Sequence, residues 1–160
     1  MSDAQPVEKA SIVVMSGDMD KVMGAFIIAT GAAAFDMQVS MFFTFWGLKA
    51  IQKGNLTGKG AMGRMLGVMN RGGIDRLGPS KFNFGGMGRW MFKKMMKAHK
   101  VTPLPQLLKQ AQDLGVKLTA CEMSMNVMEI RKEDLIDGVQ IGGVASFIAD
   151  ASESKFSLFI

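Results

Sequence analysis

The stretch Val116-Lys117-Leu118-Thr119-Ala120-Cys121-Glu122-Met123-Ser124-Met125 decides how this chain is read. Val116 to Ala120 is a short apolar run that reads as a strand. Met123, Val127 and Met128 then recur at spacings that suggest a helix turn or two. Cys121 stands where the strand becomes the helix. Just upstream, Leu107, Leu108, Ala111 and Leu114 mark the buried face of another helix. Pro105 sits in its first turn, where a missing N–H is harmless, and Gly115 ends it.

The same alternation extends in both directions. Toward the N-terminus, Ala10-Ser11-Ile12-Val13-Val14-Met15-Ser16 reads as a buried strand, closed by Gly17-Asp18. Val22, Ala25, Phe26, Ala29 and Ala33 then space out a helix over about 19–35, with Asp18 as its N-cap. A second strand covers 37–43, and Phe45-Trp46-Gly47-Leu48 opens a short helix to about Ile51. Toward the C-terminus, Val139-Gln140-Ile141 is a very short strand, 143–153 a helix and 155–160 a last apolar strand. The order β-α-β-α-(insert)-α-β-α-β-α-β predicts right-handed crossovers and a mostly parallel sheet covered on both faces. Ligands of such sheets bind beyond the carboxyl ends of the strands. One rim should therefore carry Ser16-Gly17-Asp18, Thr44-Phe45-Trp46 and Cys121-Glu122-Met123.

The chain of 160 residues fits one domain over 1–160, and a hydrophobic content of 48% suffices for a core. Its net charge of +5 is unevenly spread. The stretch 53–100 holds 11 of the 19 basic residues against one acid, Asp75, and it is rich in Gly and Met. This basic insert contains one expected helix near 88–99. Its glycines and mutual repulsion predict partial mobility unless something acidic lies nearby. It can be read as a solvated face, as an adaptable binding surface or lid, or as a membrane-surface helix built on Trp90, Met91 and Phe92 beside Lys93, Lys94 and Lys97. The binding surface or lid is favoured. Nucleic-acid binding is not expected, because no recognition motif accompanies the charge. Met1-Ser2-Asp3-Ala4-Gln5-Pro6 shows no leader pattern and no run is long enough to span a bilayer, so a cytoplasmic, reducing compartment is expected.

One cysteine excludes an internal disulfide and a cysteine-based metal cage, and a lone histidine makes a metal site improbable. No cofactor is expected. Unpaired N–H groups at the strand–helix junction should stabilise a Cys121 thiolate by about 0.3–1 kcal/mol, with Glu122 opposing unless it turns outward. The competing reading of Cys121 is a small buried hydrophobe. Ser16-Gly17-Asp18 is either an anion cradle or a tight turn with a cap. Trp46 is placed equally well in a pocket wall or in the core. His99 reads as a solvated helix end rather than a partner for Cys121.

These segments resemble a known family. Ile12-Val13-Val14-Met15-Ser16-Gly17-Asp18, Met41-Phe42-Phe43-Thr44-Phe45-Trp46-Gly47-Leu48, Asp137 to Phe147, and above all Ala120-Cys121-Glu122-Met123-Ser124-Met125 are similar to the DsrE/DsrF/DsrH-like superfamily. The likeness covers nearly the whole chain. It implies a three-layer α/β/α fold on a five-stranded, mostly parallel sheet, and a homo-oligomer. It also implies a role as sulfurtransferase or sulfur carrier, with sulfane sulfur on Cys121 exchanged with a TusA-like carrier protein or a rhodanese. On this reading Gly17, Asp18, Trp46, Met123 and Met125 line the substrate pocket. The alternative is a non-catalytic module that docks on a membrane surface or an acidic partner through the basic insert.

Overall fold

The computed structural model describes residues 7–160, so the segment 1–6, on which the expectation of no leader rests, lies outside the described residues. Five apolar runs form the strands β1 (Lys9–Val14), β2 (Gln38–Phe43), β3 (Lys117–Cys121), β4 (Val139–Gly142) and β5 (Phe156–Phe159). They pair in parallel throughout, in the order β4-β3-β2-β1-β5. β1, β2 and β3 occupy the middle, and their residues are almost all buried, as two covered faces require.

Strand alternation decides which helix covers which face. Phe43 packs on Phe26 of α1 (Met19–Ala34), with ring centroids 6.1 Å apart. Its neighbour Phe42 points the other way, onto Phe147 of α6 (Val144–Ser152), at 5.5 Å. α4 (Leu104–Asp113) lies beside α1. Phe26, Phe43, Ile12 and Met41 are fully buried between that pair and the sheet. Each contributes about 1.5–3 kcal/mol relative to exposure. The α6 face is thinner: none of that helix's residues is buried, and Val144 and Ile148 are exposed.

Several local expectations need adjustment. Asp18 occupies the N-cap position of α1, but its carboxylate makes no cap bond; it accepts the Ser16 hydroxyl at 2.9 Å and pairs with Lys21 at 3.1 Å. The segment Phe45–Ile51 is a 3₁₀ helix. The insert holds two α-helices, α2 (Ala61–Met69) and α3 (Met87–Ala98), and only α3 was anticipated by the pattern. The glycines that argue against helix in α2 are its contact surface. A Cβ on Gly67 would fall 2.3 Å from the Thr57 carbonyl oxygen, and one on Gly63 would fall 2.0 Å from the Glu129 carboxylate. Close approach compensates for the cost of glycine in a helix.

Candidate functional site

The sheet register brings the three rim segments together. Val14 pairs with Phe43, Phe43 with Ala120, and Cys121 with Gly142. Met15, Thr44 and Cys121 are thus one step from, or at, the same carboxyl edge. Gly47 binds this rim through its N–H to Met15 O at 2.8 Å. The approach is so close that a Cβ there would fall 2.0 Å from the Val14 carbonyl oxygen. Phe45, between Thr44 and Trp46, adopts a left-handed conformation with φ 45°, an uncommon one for a bulky residue.

Cys121 is the N-cap of α5 (Glu122–Val127) and is only 1% exposed. Burial pushes its thiol pKa up. The Ser124 hydroxyl and N–H, the Thr44 hydroxyl and the Met123 N–H act in the opposite direction and prevail, so the pKa lies below the ordinary thiol value. Thr44 Oγ1 and Ser124 Oγ are hydrogen-bonded at 2.7 Å, and Ser124 is fully buried. A cysteine serving only as apolar filler would meet burial without these donors and would be less acidic. Glu122 is exposed on the outer side of α5 and is not among the groups that act on the thiol.

The other residues singled out from the sequence fall into separate places. Gly17, Asp18 and Trp46 line a cavity of about 810 Å³ at the rim, whose far wall is Met65, Leu66 and Met69 of α2. Cys121, Met123 and Met125 do not line it. Met125 is in the core, 4% exposed, and Met123 is half-exposed on α5. A single pocket enclosing the sulfur with Met123, Met125 and Trp46 is therefore not what the residues form. His99 is exposed at the C-cap of α3. Among the described residues no group of three or more His, Cys, Asp or Glu is placed to hold a metal ion. No helix among them is long and apolar enough to cross a membrane.

Thr44 and Ser124 are the site residues that sequence reasoning missed as functional groups. Thr44 was on the expected rim, but nothing local links it to a serine 80 positions away. The only local signal for Ser124 is its place one helical turn after a cysteine at a helix start. Changing Ser124 to Ala should slow alkylation of Cys121 near pH 7 by about tenfold, the equivalent of one charge-assisted hydrogen bond of about 1.5 kcal/mol. It should also move the pH–rate curve upward. An unchanged curve would mean that the hydroxyl does not act on the sulfur.

A parallel α/β sheet with an acidified cysteine at a strand end defines the class of protein. The chain belongs to the DsrE/DsrF/DrsH-like family, which it matches over residues 6–159. It is 46% identical over 158 residues to the uncharacterized protein YrkE of Bacillus subtilis, covering 98% of this chain and 99% of that one. It is 32% identical over 160 residues to the sulfur carrier protein DsrE2 of Allochromatium vinosum, covering 96% and 98%. Among solved structures, YchN from Escherichia coli aligns with a TM-score of 0.57 over 96% of this chain and all of that one. MTH1491 from Methanobacterium thermoautotrophicum aligns with a TM-score of 0.53 over 96% and 99%. At 14% and 10% identity these two show the fold alone.

Proposed function

We propose that the protein is a sulfur carrier in a sulfur relay, with Cys121 taking up sulfane sulfur as a persulfide and passing it to a small sulfur-carrier protein. The observation that carries this reading is the polar surround of Cys121, the Met123 and Ser124 N–H groups with the Thr44 and Ser124 hydroxyls, one of which gives its proton to the other, and it favours the thiolate despite burial. Family membership and the likeness to a protein named a sulfur carrier support it.

In the transfer, the Cys121 thiolate attacks the outer sulfur of a persulfide or polysulfide. A new S–S bond forms at Cys121, the donor's S–S bond breaks, and the donor's inner sulfur leaves as a thiolate. There is no net oxidation. Attack by a partner thiolate on the outer sulfur reverses the step and restores Cys121. One cysteine is enough, because donor and acceptor supply the other thiols. A sulfur this buried must be uncovered for either attack. α5 is the element to move, because it has only six residues and an exposed Met123.

The acceptor docks, on this reading, against the basic insert. Lys93, Lys97 and Lys100 line a second cavity of about 520 Å³ between α3 and α4. Lys94 lies over the Trp90 ring at 5.3 Å, and Trp90, Met91 and Met95 are exposed beside it. Exposed aromatic and methionine side chains ringed by lysine suit an acidic protein face. The bare apolar residues of α6 suit contact with further copies of the chain.

The function is tested by mixing sulfur-loaded protein with a TusA-like carrier and following the carrier's mass. The expected result is gain of one sulfur by the carrier, absent when the donor is Cys121→Ser. Changing both Lys94 and Lys97 to Glu should slow this transfer by about tenfold at low salt, with the difference shrinking at high salt. Loading by small polysulfide should stay unchanged. The second reading, a docking module without sulfur chemistry, predicts no transfer from any form and salt-sensitive binding to anionic vesicles instead.

A further inference from the structure

α5 ends on a residue that its backbone does not favour. The Ile130 N–H donates to the Met125 carbonyl at 2.9 Å and the Glu129 N–H to the Asn126 carbonyl at 3.3 Å, the paired bonds of a helix stop closed by a left-handed residue. Glycine is the usual occupant of that place, because a Cβ crowds the backbone there. Here the place is taken by Glu129, with φ 53°. Its side chain does what glycine could not. The carboxylate accepts the N–H groups of Lys59 and Gly60 at 2.5 and 3.1 Å, and so caps the start of α2. One turn into α2, Gly63 leaves the room that the carboxylate fills, since a Cβ on Gly63 would fall 2.0 Å from its oxygen. α2 is otherwise thinly attached. Gly63 and Gly67 are its only buried residues, and Met62, Met65, Val68 and Met69 are exposed.

We propose that Glu129 is a latch through which the insert controls access to Cys121. α5, the element that must move to uncover the sulfur, is fixed at both ends. Near its start Ser124 meets Thr44 of the rim at 2.7 Å, and just past its end Glu129 is bonded to α2. The stop of α5 and the cap of α2 are thus one residue. Swinging α5 away from the rim pulls the carboxylate off the α2 amides. Drawing α2 away removes the tie at the end of a six-residue helix, which is too short to hold its place without tertiary contacts. The inference rests on the reading of Cys121 as a nucleophile that must be uncovered, and adds the residue that governs the uncovering. A carrier docked on the insert is thereby coupled to the cover of the sulfur it takes.

The test is the rate at which iodoacetamide alkylates Cys121, the only thiol, in the native full chain. Two substitutions separate a latch from a plain helix stop. Glu129→Gly supplies the residue that the left-handed turn prefers and removes the carboxylate. Gly63→Ala favours α2 as a helix and displaces the carboxylate from the insert side. A plain stop predicts slower opening in Glu129→Gly and no effect of Gly63→Ala. The latch predicts faster alkylation in both, by about fivefold, the effect of a lost helix cap on local opening. The double substitution should be no faster than Glu129→Gly alone, because both break the same tie. The pH of half-maximal rate should not move, since Thr44, Met123 and Ser124 are untouched. The rate should also be insensitive to low denaturant, as local opening is. The proposal is overturned if Glu129→Gly is alkylated no faster than the parent, if Gly63→Ala is unchanged, if the two effects multiply, or if the acceleration follows global unfolding across denaturant. Iodoacetamide needs no sulfur chemistry, so a chain that never loads sulfur can still show the latch, and a chain that loads sulfur can still lack it.

Discussion

Replacing Asp134 with alanine is expected to lower the folding free energy by about 2–3 kcal/mol, since buried donors are left without an acceptor. Asp134 is fully buried. Its carboxylate accepts Asn55 Nδ2 at 2.6 Å, the Arg131 N–H at 2.9 Å and the Arg131 guanidinium at 3.2 and 3.3 Å. Asn55 belongs to the entry of the insert, and Lys53 N–H donates to the Asp134 carbonyl at 2.9 Å. The substitution should therefore loosen the insert as well as lower the denaturant midpoint. Arg131 is half-exposed, so water replaces its lost partner and most of the cost falls on Asn55 and the Arg131 amide. Denaturant unfolding of the variant with an unchanged midpoint would refute this account of the anchor.

Asp134 is one of several carboxylates outside the insert that bond to it. Asp20 of α1 accepts the Ser80 N–H at 2.7 Å and its hydroxyl at 2.8 Å. Glu129, just past α5, accepts the N–H groups of Lys59 and Gly60 at the start of α2. All three have pKa values below the ordinary carboxylate range. For Asp134 and Asp20 burial pushes up, but the bonds from Arg131 and Asn55, and from Ser80, prevail; for Glu129 the Gly60 and Lys59 amides dominate. A carboxyl whose folded pKa is depressed stabilises the fold fully above its unfolded pKa, about 3.9–4.3. That contribution is lost as pH falls through the folded value. The protection of amides in 53–100 against exchange, relative to the unfolded chain at the same pH, should therefore fall below about pH 4. The central strands should follow only at lower pH.

The sheet was legible because each strand is a short apolar run closed by Gly, Pro or a polar turn. The helices α1 and α4 were legible because their apolar residues recur at three and four. The rim followed from topology, since parallel strands put every carboxyl end on one edge. The insert was not legible in the same way. Glycine in α2 counted against helix, whereas Gly63 and Gly67 admit Glu129 and Thr57 at distances no side chain allows. Repulsion among its basic residues suggests mobility unless something acidic lies nearby; the carboxylates at positions 20, 129 and 134, all outside the insert, accept N–H groups from it. Cys121 and its place at a strand end were readable. The hydroxyls of Thr44 and Ser124 were not, because they meet across two strands, and neither was the cavity that Trp46 lines without Cys121.

Cys121→Ser has the largest expected effect, a complete loss of sulfur loading, because the chain holds no other thiol to take it. Serine is close to cysteine in size and keeps a hydrogen-bonding group beside Thr44 and Ser124, so the fold should persist while the nucleophile is lost. The decisive measurement is the intact mass of the native protein after incubation with polysulfide and removal of excess reagent. The account predicts gain of the mass of one or more sulfur atoms, reversed by a reducing thiol, in the parent protein and none in Cys121→Ser. A native parent protein that gains no sulfur, or a Cys121→Ser protein that gains as much, would contradict it.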